Sequence, residues 1–492
     1  MPTCSETDTE REQNQVEKDT VAIYQNFLEL EDEDLLALQR VLHVKYLKSG
    51  LRVLPAAFVS LDASRTWICY WILHSLSLLD KLSSLSEETI RDVIQLLQSC
   101  QHKSGGFGGG PGQLPHLATT YAAVAALVTL GGDDVLDFIN RDSLMSFFLR
   151  MCVPPERGGG MTMHQHGEVD VRGCYCALSV CYMLNMDSKK IADACDLLQF
   201  VPRCQSYEGG SGGEPGNEAH GGYTFCAYGA LELIQEGNKI DRSLLKSWAS
   251  RMQGRTEGGM RGRTNKLVDG CYSWWQGGLC SLAHVQGNIW NGKARNKLNF
   301  TPDFNKCDQS VASAVDQWSG SKWQSPGQII KEASAAKQIE LDMAMDRLLE
   351  IEDELKNDPD NKRLGEQQEQ VMRLQQEVDK MDEQLPLVEA IQKCLKKVRN
   401  GNDETDACDF DALQLWILLC CQINGRGGLR DKPGKSPDFY HTCYCLSGLS
   451  AAQHAGGSIV GGRRNLLLPT HPVCNVVIEK LDIARKYFGA ES

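Results

Sequence analysis

The sequence predicts an all-α fold: an α/α barrel (an α–α toroid) built from repeats of about 50 residues, with an inserted helical hairpin. Three observations lead to this prediction. A double glycine recurs along the chain, an apolar run of helical character follows each double glycine, and an amphipathic run separates successive repeats. The double glycines are Gly105–Gly106, Gly159–Gly160, Gly209–Gly210, Gly258–Gly259 and Gly427–Gly428.

An aromatic residue opens each apolar run, and few β-branched residues follow it, which predicts a helix. These runs are 121–130, 175–184, 225–234, 272–282 and 444–452; the run 67–79 resembles them but lacks a double glycine ahead of it. The amphipathic runs, for example 144–152, 191–200 and 244–252, predict a second helix in each repeat. Such helix pairs form either an open solenoid or a closed double ring. The apolar inner helices favour the closed ring, because closure buries them on both sides.

The last interval between double glycines is longer than the others by about 120 residues. The extra block, 285–408, contains two charged runs separated by a turn at 357–361, and apolar residues of the second run follow heptad spacing. This pattern predicts a coiled-coil-like helical hairpin inserted into the barrel. Residues 1–20 have the composition of a disordered tail. The barrel itself is therefore expected over 21–284 and 409–492.

Charge and composition exclude several classes of protein. A formal net charge of −13 argues against a nucleic-acid or anionic-membrane surface. No apolar run has the length of a membrane span, and Met1–Glu10 lacks the basic and apolar regions of a secretory signal. The 20 cysteines include no Cys-x-x-Cys pair, so most are expected to be small buried hydrophobes. We therefore expect a cytoplasmic protein with reduced thiols.

The loops of the third, fourth and fifth repeats carry side chains that can bind a metal ion or an anion. If the repeats superpose, Asp269, Cys271 and His441 lie at loop-to-helix corners of neighbouring units and meet at one point. One carboxylate, one thiolate and one imidazole with a free fourth position are typical of a catalytic zinc site. Taken singly, the three residues are explained as well by a helix cap, a core cysteine and a hydrogen-bonding loop histidine.

Two further groups lie in the same loops and helices. Potential cations and a phenol indicate an anion site such as one for a diphosphate, or else a solvated basic patch. They are His220, Arg263, Lys266 and Tyr272. Aromatic residues at helical spacing form core, or line a cavity for a long apolar ligand. They are Trp67, Trp71, Tyr175, Tyr223, Trp274, Trp275 and Tyr444.

Six stretches closely resemble the β-subunits of protein farnesyltransferases, in register over roughly 40–285 and 408–488. They are LDASRTW at 61–67, GGFGGGPGQ at 105–113, EAHGGYTF at 218–225, NKLVDGCYS at 265–273, DKPGK at 431–435 and FYHTCYCLSGL at 439–449. The family fold is an α/α barrel, in agreement with the repeat. The 285–408 block departs from the family pattern, which has no such insertion before the fifth loop.

The resemblance implies roles for individual residues. It implies one zinc ion per β-subunit on Asp269, Cys271 and His441, and a prenyl diphosphate on His220, Arg263, Lys266 and Tyr272. It implies an isoprenoid and peptide pocket lined by Trp67, Trp71, Arg172, Tyr175, Tyr223, Trp275, Tyr440 and Tyr444. Asp431 matches a residue linked to magnesium use, and both Asp431 and the bulky Trp67 match farnesyl rather than geranylgeranyl enzymes.

The activity implied is transfer of farnesyl from farnesyl diphosphate to the cysteine of a C-terminal Cys-a-a-X sequence, with thioether formation. The family also implies an obligate α-subunit, so the chain alone is expected to be inactive. Three alternatives remain open. They are a geranylgeranyl enzyme, a terpene cyclase, although its Asp-x-Asp-Asp acid motif is missing here, and a scaffold that binds partners without catalysis.

Overall fold

Helices joined by glycine-rich loops make up most of the structure, a computed structural model. It describes residues 7–30, 33–52, 54–282, 369–375, 408–456 and 458–490. The α-helices are α1 (Asp8–Leu30), α2 (Arg40–Ser49), α3 (Arg65–Leu78), α4 (Glu87–Cys100), α5 (Leu117–Leu130), α6 (Asp133–Leu136), α7 (Arg141–Met151), α8 (Val171–Met183), α9 (Ser188–Ala194), α10 (Leu197–Arg203), α11 (Gly221–Leu233), α12 (Arg242–Arg251), α13 (Tyr272–Trp275), α14 (Phe410–Trp416), α15 (Phe439–Gly456) and α16 (Ile478–Ala490).

Shorter elements connect these helices. A π-helix, Ile417–Cys421, follows α14, and strands β1 (Gln422–Ile423) and β2 (Arg426–Leu429) pair antiparallel after it. Short 3-10 helices lie at Glu33–Leu36, Ala56–Ser64, Leu82–Ser84, Pro155–Arg157, Gly237–Lys239 and Arg463–Asn465. We number the loops that lead from an outer to an inner helix as loop one (101–116), loop two (152–170), loop three (204–220), loop four (252–271) and loop five (422–438).

Six helices form a closed inner ring: α3, α5, α8, α11, α13 with its continuation 277–282, and α15. Each packs against the next, and α15 packs against α3, which closes the circle. Every residue of α5 except Ala118 and Leu130 is buried, as expected for a helix covered on both sides. The prediction of a closed α/α barrel is therefore confirmed, and the open solenoid is excluded.

The double glycines allow each loop to touch the next outer helix. A Cβ atom on Gly210 would lie 2.7 Å from the ring of Trp248 in α12, closer than side chains pack. The other double glycines meet Phe147, Phe200, Trp416 and Tyr46 in the same way. Tyr46 belongs to α2, at the start of the ring, so the contact of Gly428 with Tyr46 joins the last loop to the first helix pair. Close approach of backbone to an aromatic side chain therefore explains why the repeat is marked by glycine.

Backbone hydrogen bonds join each corner to the loop of the next unit. At five successive corners, an N–H at the start of an inner helix donates to a carbonyl oxygen one unit further on. The bonds run from Arg65 to Gly109 (2.8 Å), Leu117 to Met163 (2.8 Å), Val171 to Gly213 (3.0 Å), Gly221 to Gly262 (2.7 Å) and Gly270 to Asp431 (2.7 Å). Because helix starts leave N–H groups without partners inside the helix, these bonds also satisfy otherwise unpaired donors. The corners therefore lie together at one end of the ring.

The C-terminal segment closes the opposite end. The N–H of Leu468 donates to the carbonyl of Leu78, the last residue of α3, and the chain then crosses the ring. Three tyrosine hydroxyls of the inner helices donate to carbonyl oxygens of this segment. They join Tyr70 to Asn475 (2.7 Å), Tyr121 to Cys474 (2.9 Å) and Tyr175 to Val473 (2.7 Å). The ring interior is therefore blocked at this end, opposite the corners.

The predicted disordered tail over 1–20 is wrong for residues 8–20, which form the first half of α1. Buried side chains follow one face of this helix at Val16, Thr20, Tyr24 and Phe27. This spacing lets α1 dock on the barrel although its overall composition is polar, so the predicted boundary at residue 20 falls inside a helix. Residues 1–6 lie outside the described residues.

The predicted helical hairpin at 285–408 lies almost wholly outside the described residues. Only a helical stretch at 369–375 and Cys408 are described within it, so the hairpin stays a prediction. Among the described residues, no helix combines the length and the apolar character that crossing a membrane requires.

Replacement of Gly428 by alanine should destabilise the ring more than replacement of Gly434 in the same loop. Both residues have positive φ (85° and 81°), so alanine costs about 1 kcal/mol of backbone strain at either position. At Gly428 the added methyl group would also lie 2.8 Å from Tyr46 and Pro437, whereas at Gly434 it meets no neighbour within 4 Å. We expect Gly428→Ala to lower the free energy of unfolding by about 1–3 kcal/mol more than Gly434→Ala does. Thermal unfolding midpoints measure this difference, and equal midpoints would contradict the close-contact explanation.

Candidate metal centre and substrate site

We number each repeat unit by its loop, and the corner of a unit is the point where its loop enters the inner helix. The corners of units four and five are joined directly. Asp269 Oδ1 accepts a hydrogen bond from the N–H of Cys271 (2.8 Å), the residue that immediately precedes α13. Between them, the N–H of Gly270 donates to the carbonyl of Asp431 in loop five. A Cβ atom on Gly270 would lie 2.6 Å from Cys445 Sγ, so no other residue fits here without displacement. The residue between the aspartate and the cysteine is therefore glycine because loop five lies against it.

Three potential metal ligands meet at this joint. Asp269, Cys271 and His441 each offer one atom, and these atoms all lie within 4.8 Å of one another. His441 Nε2 lies 3.3 Å from Asp269 Oδ1. Over the residues that the structure describes, no other group of His, Cys, Asp and Glu side chains converges in this way. The sequence prediction that these three residues meet is consistent with this geometry, and the donor set of one oxygen, one sulfur and one nitrogen suits zinc.

Asp438 fixes the orientation of His441, a role that the sequence analysis missed. Its Oδ1 accepts from the N–H of His441 (2.8 Å) and its Oδ2 lies 2.6 Å from His441 Nδ1. With Nδ1 donating to Asp438, Nε2 is the nitrogen that faces Asp269 and Cys271. Histidine ligands of metals are commonly held by a carboxylate in this way. An aspartate three residues before a histidine at a helix start was the available sequence signal.

The charges of the group favour binding of a cation. Burial opposes protonation of His441, but hydrogen bonds to Asp269 and Asp438 outweigh it and raise its pKa to about 10. Burial tends to raise the pKa of Asp269, yet the hydrogen bond and charge of His441 hold it below its usual value. Burial, with the charge of Asp269, raises the pKa of the Cys271 thiol well above its usual value. In the metal-free site, the extra proton on His441 thus provides the positive charge that a bound metal ion would otherwise provide.

His220 and Tyr272 form a hydrogen-bonded pair between units three and four. His220 Nδ1 accepts from the N–H of Gly222 (3.2 Å), and its Nε2 lies 2.9 Å from the Tyr272 hydroxyl. Burial and the charge of Arg263 lower the pKa of His220, so the ring is neutral near pH 7. Because Nδ1 accepts, the ring proton is assigned to Nε2, which donates to Tyr272. The Tyr272 hydroxyl can then donate its own proton to a further group.

The remaining predicted anion-binding residues lie in loop four. Arg263 pairs with Glu218 of loop three at 2.7 Å, and both side chains are about half exposed. Lys266 is exposed in the same loop. The structure thus brings His220, Arg263 and Tyr272 into one neighbourhood, with Lys266 at the exposed part of loop four.

Aromatic side chains from all six inner helices form a closed belt inside the ring. Successive ring centroids lie 4.7–5.8 Å apart, in the order Trp67, Tyr121, Tyr175, Phe225, Trp275, Tyr444, Tyr440, Trp71 and back to Trp67. Four of these residues keep partly accessible surface: Trp67, Trp71, Trp275 and Tyr440. The belt therefore presents aromatic surface to the ring interior, between the corners and the closed end.

The belt includes two residues that the sequence analysis did not assign to the pocket, Tyr121 and Phe225. Each is the first residue of an apolar run, as Tyr175 is. This shared position was the sequence signal that could have assigned them to the pocket. In unit four the register differs: Tyr272 points to His220, and Trp275, about one helical turn later, completes the belt. Its neighbour Trp274 is fully buried, as expected for core.

The other predicted residues lie around the same end of the ring. The Arg172 guanidinium is held by Asp170 (Nε to Oδ1 and Oδ2, 3.0 Å each) and lies 5.4 Å from the centre of the Tyr223 ring. The Asp431 carboxylate pairs with Lys432, which the sequence analysis did not assign to the site. Burial and the nearby charge of Asp269 raise the pKa of Asp431. Asp431 is therefore an acidic group beside the candidate metal ligands.

Comparison with known proteins identifies relatives over almost the whole chain. Residues 38–476 match the family described as "Prenyltransferase alpha-alpha toroid domain". The chain is 39% identical to the "Protein farnesyltransferase subunit beta" of Arabidopsis thaliana, over 98% of this chain and 90% of the relative. It is also 39% identical to the protein of the same name from Pisum sativum, over 86% of this chain and 89% of the relative.

A solved structure shares the fold. It is described as "Candida albicans protein geranylgeranyltransferase-I complexed with GGPP", and it matches with a TM-score of 0.57 and 18% identity. The match covers 92% of this chain and 99% of that chain.

Replacement of Gly270 by alanine should abolish metal binding. The added methyl group would collide with Cys445 and with the carbonyl of Arg430, which forces the two corners apart. Gly222→Ala is the control, because a methyl group there makes ordinary contacts of 3.5 Å. Metal content of the two purified variants by elemental analysis checks this. Normal metal content in Gly270→Ala would contradict the joint described here.

Metal uptake should release about two protons near pH 7, because both His441 and Cys271 are protonated in the metal-free chain. The apparent affinity should therefore rise by up to about 100-fold per pH unit between pH 6.5 and 8. Calorimetric titration in buffers of different ionisation enthalpy measures the proton count. Asp438→Asn, which removes one carboxylate that holds the proton on His441, should lower that count. An affinity that does not change with pH would contradict the assignment.

Proposed function

The chain belongs to the prenyltransferase α/α-toroid family, and we propose that it is the catalytic β-subunit of a protein farnesyltransferase. It transfers farnesyl from farnesyl diphosphate to the cysteine of a C-terminal Cys-a-a-X sequence. The observation that carries the proposal is one juxtaposition: Asp269, Cys271 and His441 converge at the end of the ring opposite the C-terminal closure. Its relatives named as farnesyltransferase β-subunits support the same reaction.

The proposed metal ligands are Asp269, Cys271 and His441, with one zinc ion per chain. Their chemistry fits zinc, since three different donors converge and a fourth position is left for the substrate. When bound, zinc lowers the pKa of the acceptor cysteine, so that a thiolate is present near neutral pH. Asp438 keeps His441 Nε2 directed at the other two ligands, and the Gly270–Asp431 hydrogen bond keeps the two corners together.

The proposed diphosphate site consists of His220, Arg263, Lys266 and Tyr272. In the transfer, the acceptor sulfur bonds to C1 of the farnesyl group as the C1–O bond breaks, and negative charge builds on the leaving diphosphate. Tyr272 can donate a hydrogen bond to that charge because His220 donates to the Tyr272 oxygen. Arg263 and Lys266 add positive charge. Asp431 is the proposed magnesium-associated carboxylate.

The aromatic belt is the proposed isoprenoid site. The residues proposed to line the isoprenoid and peptide pocket are Trp67, Trp71, Arg172, Tyr175, Tyr223, Trp275, Tyr440 and Tyr444. Aromatic faces can also stabilise cationic character at C1 of the lipid. The ring centroids of Trp67 and Trp71 lie 5.7 Å apart, and this bulk on one side of the belt supports the shorter farnesyl group over geranylgeranyl.

The proposed partners are a farnesyltransferase α-subunit, in an obligate heterodimer, farnesyl diphosphate and Cys-a-a-X proteins. The relatives are named as subunits, which supports a second chain. The cytoplasmic location is part of the proposal and rests on the sequence alone.

Zinc content and farnesyl transfer, measured together after co-expression with an α-subunit, test the function. We expect about one zinc per heterodimer and transfer to a Cys-a-a-X peptide. Cys271→Ala should lose the metal and lower transfer by at least about 100-fold. Cys280→Ala, at another buried cysteine of the same inner-helix region, is the control and should keep both.

The outcomes separate the alternatives. Preferred use of geranylgeranyl diphosphate in a competition assay would identify a geranylgeranyl enzyme. Zinc-independent cyclisation of a prenyl diphosphate would identify a cyclase. A heterodimer without bound zinc and without transfer would identify a scaffold.

A further inference from the structure

The joint between units four and five differs from the others in its covalent connection. From α3 to α12, each inner helix is followed closely by the next outer helix, as from α8 to α9, where residues 184–187 intervene. Here residues 283–407 separate the inner helix of unit four from the outer helix α14 of unit five. By its length alone, this connection restricts the separation of its two ends less than a link of four residues does. Contacts through space must therefore keep this joint in register.

Loop four and unit five make several such contacts. The side chain of Gln253 donates to the carbonyl of Asp409 (2.9 Å) and accepts from its N–H (2.8 Å). Gly259 packs against Trp416 of α14, and Gly270 donates to Asp431. Equivalent contacts occur at other joints, for example between Gln205 and Asp241. They are part of the repeat and are not a response to the long connection.

Helix α1 adds a contact that the repeat does not provide. The Tyr24 hydroxyl donates to the carbonyl of Glu257 (2.6 Å), and the Gln13 side chain donates to Glu257 Oε1 (2.6 Å). Glu257 lies in loop four and is fully buried, as is Tyr24. Helix α1 also packs against the π-helix Ile417–Cys421 of unit five. One helix from the start of the chain therefore touches both sides of the interrupted joint.

Both contacts lead to the candidate metal ligands by short hydrogen-bonded routes. In loop four, the N–H of Asp269 donates to the carbonyl of Met260 (2.9 Å), and Met260 lies three residues after Glu257 in the chain. In unit five, the Arg430 side chain donates to the carbonyl of Cys420 in the π-helix (2.9 Å). Arg430 is followed by Asp431, whose carbonyl accepts from Gly270. A displacement of α1 would therefore change the positions of residues on both sides of the Gly270–Asp431 hydrogen bond.

We propose that α1 is a strap that holds loop four and the π-helix of unit five together across the interrupted joint, with Tyr24 and Gln13 as positioning residues for the metal-ligand group. The strap itself depends only on the contacts above. Its effect on the metal rests on the proposed function, so the two are measured separately.

Hydrogen exchange on the metal-free, full-length chain tests the strap. In the double variant Tyr24→Phe and Gln13→Ala, exchange in peptides covering 253–272 and 426–441 should be about tenfold faster. Exchange in loop one (101–116) should change less than about twofold, because the bonds of Gln13 and Tyr24 go to Glu257 in loop four and α1 packs on the π-helix of unit five. Gln25→Ala, at an exposed position of the same helix, is the matched control and should match the wild type. Unchanged exchange at both peptides, or equal acceleration in loop one, would overturn the proposal.

Replacement of residues 283–407 by a short linker sharpens the test. In that background the covalent connection holds the joint, so the double variant should accelerate exchange by less than about twofold. Equal acceleration in both backgrounds would show that α1 is a general stabiliser. If the shortened chain does not fold, the comparison of the two peptides with loop one decides.

Metal retention against a chelator is the second measurement. The double variant should lose its metal about tenfold faster than the wild type and the control. Faster exchange with unchanged metal loss would keep the strap and remove its link to the metal. A wild-type chain that binds no metal would contradict the proposed function and leave the exchange result to decide on the strap.

Discussion

The hydrogen bond between one corner and the loop of the next unit is the constraint on which the rest of the structure depends. A helix pair of this kind cannot cover its own apolar inner helix, so each unit must dock on its neighbour. The donor is a helix-start N–H that has no partner inside its own helix, and the acceptor is a carbonyl one unit ahead. The double glycine brings the loop within contact of the next outer helix. Five joints carry such a bond, and packing of α15 against α3 completes the ring.

The chemistry follows from the same constraint. Adjacent corners are fixed relative to one another, so side chains that are far apart in sequence, such as Cys271 and His441, share one small volume. The corner side chains also accept main-chain hydrogen bonds, which restrict their movement. His220 caps α11, and Asp269 accepts from the N–H of Cys271 just before α13. The candidate site is therefore built from residues that the fold already holds in place. This pre-organisation is what an electrostatically stabilised transfer reaction needs.

The sequence was most informative where a repeat gave each residue a position. The ring, the inner helices and the meeting of Asp269 with His441 all follow from superposing the units. The sequence was less informative where units differ, as in α13, where Trp275 takes the belt position expected for Tyr272 from the register of the repeat. It failed for α1, because the composition of 8–20 is polar while its few buried side chains follow one face. Side-chain partners such as Asp438 needed coordinates, since many surface aspartates share its sequence context.

The closed end of the ring has an evolutionary consequence. The tyrosines of the inner helices hold the C-terminal segment by its main-chain oxygens. The side chains at 473–475 are buried as well, and Asn475 Oδ1 lies 2.9 Å from His74 Nε2 of α3. A substitution at 473–475 must therefore preserve this packing, which restricts change at the closed end. The belt is freer to vary, because Trp67, Trp71, Trp275 and Tyr440 keep partly accessible surface. Single replacements in the belt are therefore the readier route by which lineages change the length of lipid accepted.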